Sequence, residues 1–200
     1  MDIDRYFDSE FAEHAAVTAA TREALAEPFA RLVALVAGSV RAGGKILLFG
    51  NGGSAADAHN IATEFAVRYR LDRDAIPALG LTTDGGVITA IGNDLGFERV
   101  FSRQVEALGR AGDVAIGLST SGRSANVIEG LRTCRAMGIA TVGLGGGTGG
   151  RLAEVCDLTL IVPSTTTARI QEMHIMLGQM LCGAVEVELG LVPAPAAEGS

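Results

Sequence analysis

The chain alternates between short, almost unbroken apolar runs and longer stretches with helical spacing. Five apolar runs recur, at Lys45–Phe49, Ala78–Thr82, Asp113–Leu118, Ala140–Leu144 and Leu158–Val162. Their apolar residues are nearly continuous rather than alternating. That is the pattern of strands buried on both faces, as in a parallel sheet covered by helices. Helix-length segments lie between them, at Ser54–Tyr69, Gly85–Ile91 with Glu98–Leu108, and Ser124–Met137. Two helical stretches, Asp4–Thr18 and Thr21–Ala42, precede the first run, and one from Ala168 to Leu189 closes the series. Strand then helix, repeated, predicts a doubly wound α/β fold. The reading is a single domain over residues 1–192, with a Pro/Ala/Gly-rich, disordered tail at 193–200.

The last helix is apolar at Ile170, Met173, Ile175, Met176, Leu177, Met180, Leu181 and Val185. This stripe is too wide for a surface helix with one wet face. The helix either runs through the core or packs on another subunit, and oligomerisation is the favoured reading.

Composition narrows the picture. The net charge is −7 and no basic face is visible, which disfavours a general nucleic-acid binder. An anionic ligand would have to be held by local groups. Arg68, Arg70 and Arg73 could serve, although three arginines at a helix end read more simply as a solvated face. No apolar run reaches about 18 residues, so no membrane span is expected. The acidic start, Met1 to Glu10, has no apolar leader core. Cys134, Cys156 and Cys182 are odd in number and widely spaced in apolar segments, as for buried free thiols in a reducing cytosol. The expected compartment is cytoplasmic.

Candidate chemistry sits where strands end. The first strand runs into Gly50-Asn51-Gly52-Gly53-Ser54 and then a helix. Ligands of open α/β sheets lie at the carboxyl ends of strands, and a helix N-terminus offers free N–H groups to an anion. Ser54 reads as an N-cap supported by Asp57. Alone, this is equally an ordinary tight turn, and it is neither a dinucleotide fingerprint nor a Walker loop. The third strand ends in Ser119-Thr120-Ser121-Gly122-Arg123-Ser124, again before a helix. Hydroxyls and helix-start amides together suit a phosphate monoester. The alternative is a Ser-rich capping loop, but two such loops in one domain favour phosphate. Glu64 lies in the helix after the Gly-rich turn, where composition alone favours a solvated side chain. Asn93-Asp94 is equally ambiguous. Gln171, His174 and Gln179 fall on broadly one side of the last helix, where a lone His is more often a core residue than a ligand.

Gly50-Asn51-Gly52-Gly53-Ser54-Ala55-Ala56-Asp57-Ala58, Ser119-Thr120-Ser121-Gly122 and Ala168-Arg169-Ile170-Gln171-Glu172-Met173-His174 together resemble the phosphoheptose isomerases of the sugar isomerase (SIS) domain family. Arg68-Tyr69-Arg70 and Asn93-Asp94 continue the resemblance, which covers nearly the whole chain. It implies a five-stranded parallel sheet flanked by helices and a homotetramer with active sites at subunit interfaces. It implies interconversion of sedoheptulose 7-phosphate and D-glycero-D-manno-heptose 7-phosphate. Carried over residue by residue, Asn51, Gly52, Gly53, Asn93, Asp94, Ser119, Thr120, Ser121, Ser124 and Gln171 would contact substrate. Glu64 would be the base at C1/C2.

The sequence also departs from that family. The family's zinc site is His/Glu/Gln/His, and the matching positions here are Asn60, Glu64, Gln171 and Gln179. His59 cannot stand in, because five residues turn it about 140° away from Glu64 on a helix. Zinc prefers thiolate, imidazole and carboxylate over neutral amides, so no tightly bound zinc is expected. The second histidine is also the family's acid/base partner. Three readings follow: a metal-free isomerase pairing Glu64 with another acid such as Asp94 or His174, an enzyme for a different phosphosugar, or a non-catalytic phosphosugar-binding or regulatory protein resembling the DnaA initiator-associating protein.

Overall fold

A computed structural model describes residues 1–194. In chain order its elements are α1 (Ile3–Arg41), β1 (Ile46–Gly50), α2 (Gly53–Ala66), β2 (Ala78–Gly80), α3 (Gly85–Asp94), a 3-10 turn (Phe97–Arg99), α4 (Ser102–Leu108), β3 (Val114–Leu118), α5 (Ala125–Ala136), β4 (Ala140–Gly146), α6 (Leu152–Val155), β5 (Leu158–Val162) and α7 (Thr167–Glu188). Of the tail expected at 193–200, residues 195–200 lie outside the described residues.

The five strands form one parallel sheet in the order β2-β1-β3-β4-β5. The all-buried strands β1 and β3 split their side chains between two cores. Ile46 and Leu48 face a cluster built with Leu32 and Val36 of α1, Ile61 and Phe65 of α2, and Leu177 and Leu181 of α7. Leu47 and Phe49 face the opposite cluster, with Val105 of α4 and Val127 and Leu131 of α5. This double coverage is why the runs read as continuous rather than alternating.

Three expectations need correction. The N-terminal region is one helix of 39 residues, not two. Ala19 and Ala20, at the expected break, are strong helix formers, and Pro28 lies inside the helix without ending it. Ser54 is not an N-cap: α2 starts a residue earlier, Gly52 holds the cap position, and no side chain caps it. Ser54 is buried instead, and one carboxylate oxygen of Asp57 is buried without a partner. The arginine cluster is not a uniform solvated helix end. It lies in the loop after α2, where Arg68 and Arg70 are exposed but the Arg73 side chain is only 1% exposed. The last helix, α7, packs on α1, α2 and the sheet of its own chain, while Met176 and Met180 stay exposed.

Candidate active site

The direction of strand addition reverses between β1 and β3. The chain goes from β1 outward to β2, then returns to the other side of β1 and proceeds through β3, β4 and β5. The loops leaving β1 and β3 therefore diverge to opposite faces and leave a crevice between them, the usual ligand position of such sheets. These are the Gly-rich and Ser-rich loops. A reciprocal amide pair ties them together. Asn51 Nδ2 donates to Asn126 Oδ1, and Asn126 Nδ2 donates to Asn51 Oδ1, both at 2.8 Å. Asn126 also accepts from its neighbour's backbone, Val127 N–H, at 2.9 Å. Asn126 is buried and was not singled out in the sequence. Its only signal was a polar residue inside the apolar first turn of α5.

The Ser-rich loop is held from behind. Ser119 is buried, and its hydroxyl pairs with that of Ser124 at 3.0 Å. Gly122 has φ +64°, and a side chain there would run into the backbone of Gly149. Its carbonyl accepts from Arg151 N–H at 2.8 Å, so the loop after β4 braces the loop after β3. Helices α1 and α3 have side-chain caps, from Asp2 and Asp84. Helices α2, α5 and α7 have none, and α2 and α5 start at the crevice. The N–H groups of Gly53 and Ser54 in α2 and of Ala125 and Asn126 in α5 are thus left for a ligand or water, while those of Ala55 and Val127 are already bonded.

On one face of the sheet, α2 and α7 run side by side in the same direction. At the crevice end, the Gln171 amide lies over Gly53, so close that a Cβ on Gly53 would sit 2.7 Å from its nitrogen. Further along, Gln179 Nε2 donates to Asn60 Oδ1 at 2.6 Å. Glu64 follows Asn60 by one turn and is half-buried. Gln171 and Gln179 are eight residues apart, about 12 Å along the helix, so one chain does not gather all four family positions. It bonds Asn60 to Gln179, sets Glu64 one helical turn beyond Asn60, and leaves Gln171 with the Gly-rich loop. His59 turns away, with its Cα beside Gly80 on β2.

Glu64 is fixed through its backbone. Its carbonyl accepts from Arg73 Nη2 at 2.8 Å, and Arg73 Nε donates to the buried Glu186 carboxylate of α7 at 2.8 Å. Tyr69 N–H donates to the same carboxylate at 3.0 Å. Arg73 thus closes the C-terminal end of α2 and anchors it to α7.

His174 does not fall in with Gln171 and Gln179. It is fully buried and its Nε2 lies 3.1 Å from the carbonyl of Gly145 on β4. A carbonyl only accepts, so Nε2 carries the proton and the unpartnered Nδ1 is bare. Burial pushes its pKa down to about 4. His174 is therefore a core residue, which removes it as the acid partner considered above. Asn93 Nδ2 donates to Asp94 at 2.7 Å at the exposed end of α3, and neither bonds to the two loops. The three cysteines are free, and burial pushes the Cys134 and Cys156 thiols up to about 12, so neither is a nucleophile at neutral pH.

The SIS domain family model matches residues 10–146. A phosphoheptose isomerase of Paramagnetospirillum magneticum is 53% identical over 196 residues, covering 98% of this chain and 100% of its own. The chain belongs to the phosphoheptose isomerases of the SIS domain family. Among solved structures, the phosphoheptose isomerase of Neisseria gonorrhoeae is 41% identical with a TM-score of 0.87, covering 92% of this chain and 99% of its own. That of Francisella tularensis is 31% identical with a TM-score of 0.91, covering 94% and 100%.

Within the phosphoheptose isomerases, the fit of this chain to zinc turns on its donor set. Here one carboxylate, Glu64, stands beside two neutral amides whose polar atoms bond to each other. Among the described residues, no group of three or more His, Cys, Asp or Glu could hold a metal ion. The donor set does not suit zinc, which takes thiolate, imidazole and carboxylate ligands.

Proposed function

We propose that the protein interconverts sedoheptulose 7-phosphate and D-glycero-D-manno-heptose 7-phosphate by an aldose–ketose shift through an enediolate. The observation that carries this reading is the crevice between β1 and β3. There two uncapped helix starts and a hydroxyl-rich loop meet beneath a glycine that Gln171 overhangs. Ser119, Thr120, Ser121 and Ser124 hold the phosphate with the free N–H groups of Ala125 and Asn126 at the start of α5. Each hydrogen bond to that charged group contributes about 1.5–3 kcal/mol. Asn51, Gly52, Gly53 and Gln171 line the sugar, with Asn93 and Asp94 completing the contacts. Glu64 moves the proton between C1 and C2. The non-catalytic alternative is not favoured, because relatives that match along 90% or more of the chain carry the isomerase name.

Glu64 lies eleven residues beyond Gly53, about 16 Å along α2. A second copy of the chain brings its reactive end to the phosphate loop of the first, in a cytoplasmic homotetramer. Support comes from α1, where Ile3, Phe7 and Phe11 form an exposed apolar stripe, and from exposed Met176 and Met180 on α7.

The test is incubation of the purified protein with sedoheptulose 7-phosphate and assay for the aldose. Glu64→Gln should lower kcat by about 10²–10⁴-fold, the usual contribution of a general base. No aldose from the wild type, with or without added zinc, would sink the proposal.

A further inference from the structure

The Asn60–Gln179 bond lies at an exposed position one helical turn from Glu64. Residues four apart on a helix are neighbours on its surface. The pair spends one amide hydrogen on itself and leaves its other N–H groups unused, whichever way each amide is turned. Glu64 is the one acidic group of this cluster, and the Arg73 guanidinium beside it is engaged by the Glu64 carbonyl and the Glu186 carboxylate. What the cluster offers is a base flanked by neutral hydrogen-bond donors. Such donors stabilise an oxyanion without any proton transfer of their own.

We propose that the Asn60–Gln179 pair is the oxyanion donor set of a metal-independent isomerase centre. This rests on the isomerase reading given above. The chemistry balances with Glu64 alone as the base. Glu64 takes a proton from C1 of the ketose, the C–H electron pair forms the C1–C2 double bond, and the C2 oxygen becomes the oxyanion. The free amide N–H groups hold that charge. The hydroxyl proton on O1 passes to O2, the charge moves to O1, and the C1 carbonyl forms as C2 takes the proton back from Glu64. No second protein acid is consumed, and no metal carries the charge. An amide is adequate at position 179 for this purpose because it only has to donate.

The prediction separates from the isomerase reading through metal binding, which needs no substrate. Wild-type protein produced in zinc-supplemented medium should contain far less than one zinc per chain by elemental analysis. Zinc should not raise its melting temperature, and EDTA should leave turnover of sedoheptulose 7-phosphate unchanged. Gln179→Ala should lower kcat by about 10²–10³-fold with little change in KM, the usual loss for an oxyanion donor. A purely structural latch would lower melting temperature without that selective loss. The double variant Asn60→His/Gln179→His should gain zinc and a zinc-dependent rise in melting temperature. Near-stoichiometric zinc in the wild type, or activity removed by EDTA and restored by zinc, overturns the proposal. A wild type that lacks zinc and turns over no sugar would instead overturn the isomerase reading on which it rests.

Discussion

At the scale of single residues, Arg73 with Glu186 is the buried ion pair that ties the helix of the proposed base Glu64 to α7. Both side chains are almost fully buried, at 1% and 2% exposure, and they join the end of α2 to α7. Removing one partner of a buried ion pair leaves the other charge uncompensated, at a cost of about 3–5 kcal/mol. Arg73→Ala should therefore destabilise the fold by that amount, read by thermal or urea unfolding. Arg73→Met/Glu186→Met should recover much of the loss, because it leaves no orphan charge. Activity should also fall in Arg73→Ala, since Arg73 holds the carbonyl of Glu64. Nothing local in the sequence separated Arg73 from Arg68 and Arg70, because the distinction is made by a glutamate 113 residues away. Asn51, by contrast, was legible from its place at a strand end. Its partner Asn126 was not, because a pairing across two loops leaves no mark in either one. The Asn60–Gln179 contact was hidden in the same way, though both positions stood out as departures from the family.

At the scale of elements, the strands and helices were readable because both faces of the sheet are covered. Continuous apolar runs need such coverage, and β5 was placed at Leu158–Val162 from the pattern alone. Element ends were less readable. Where a helix starts on a glycine at a ligand crevice, cap residues give no guide, as at Gly52 and Ser54. The position of His174 was likewise set by α7 lying on β4, and it has a measurable consequence. Its pKa is about 4 in the fold against 6.5 for the ordinary side chain. Between these values the unfolded chain binds the extra proton. Stability is thus fully present above about pH 6.5, declines as pH falls, and this contribution is gone below about pH 4. The slope is at most about 1.4 kcal/mol per pH unit for one proton. His174→Gln keeps a donor for Gly145, and should show a shallower loss of stability than wild type across this window in unfolding titrations. Equal slopes would argue that His174 is protonated in the fold.

At the scale of the whole molecule, α1 extends well past the sheet it covers. Its 39 residues span about 58 Å. Its C-terminal half supplies Leu25, Leu32 and Val36 to the core, while Ile3, Tyr6, Phe7 and Phe11 are more than half exposed. Arg169 of α7 clasps the N-terminal third of the helix through Glu10 and bonds Glu172, which also meets His14 at 2.8 Å. Removing residues 1–9 would leave that clasp and the core intact. The truncated chain should stay folded by circular dichroism but lose mass by light scattering, falling below a tetramer. Its turnover should fall with it if Glu64 and the phosphate loop come from different copies. An unchanged mass would mean that Ile3, Tyr6 and Phe7 do not join the copies of the proposed tetramer. No helix among the described residues is long and apolar enough to cross a membrane.

The closing of α1 onto α7 also sets an order in time. Arg41 bonds Glu188 and Thr18 bonds Met173, so the two ends of the chain meet across separations of 147 and 155 residues. At synthesis rates of about 5–20 residues per second, α1 waits on the order of ten seconds before its partner helix leaves the ribosome. Throughout that interval the side of α1 that meets α7 and its aromatic end are uncovered, while β1 and α2, made earlier, offer partners to Leu32 and Val36. The first helix made waits for the last one to complete its cover, which makes the nascent chain, more than the finished enzyme, the form most in need of a chaperone.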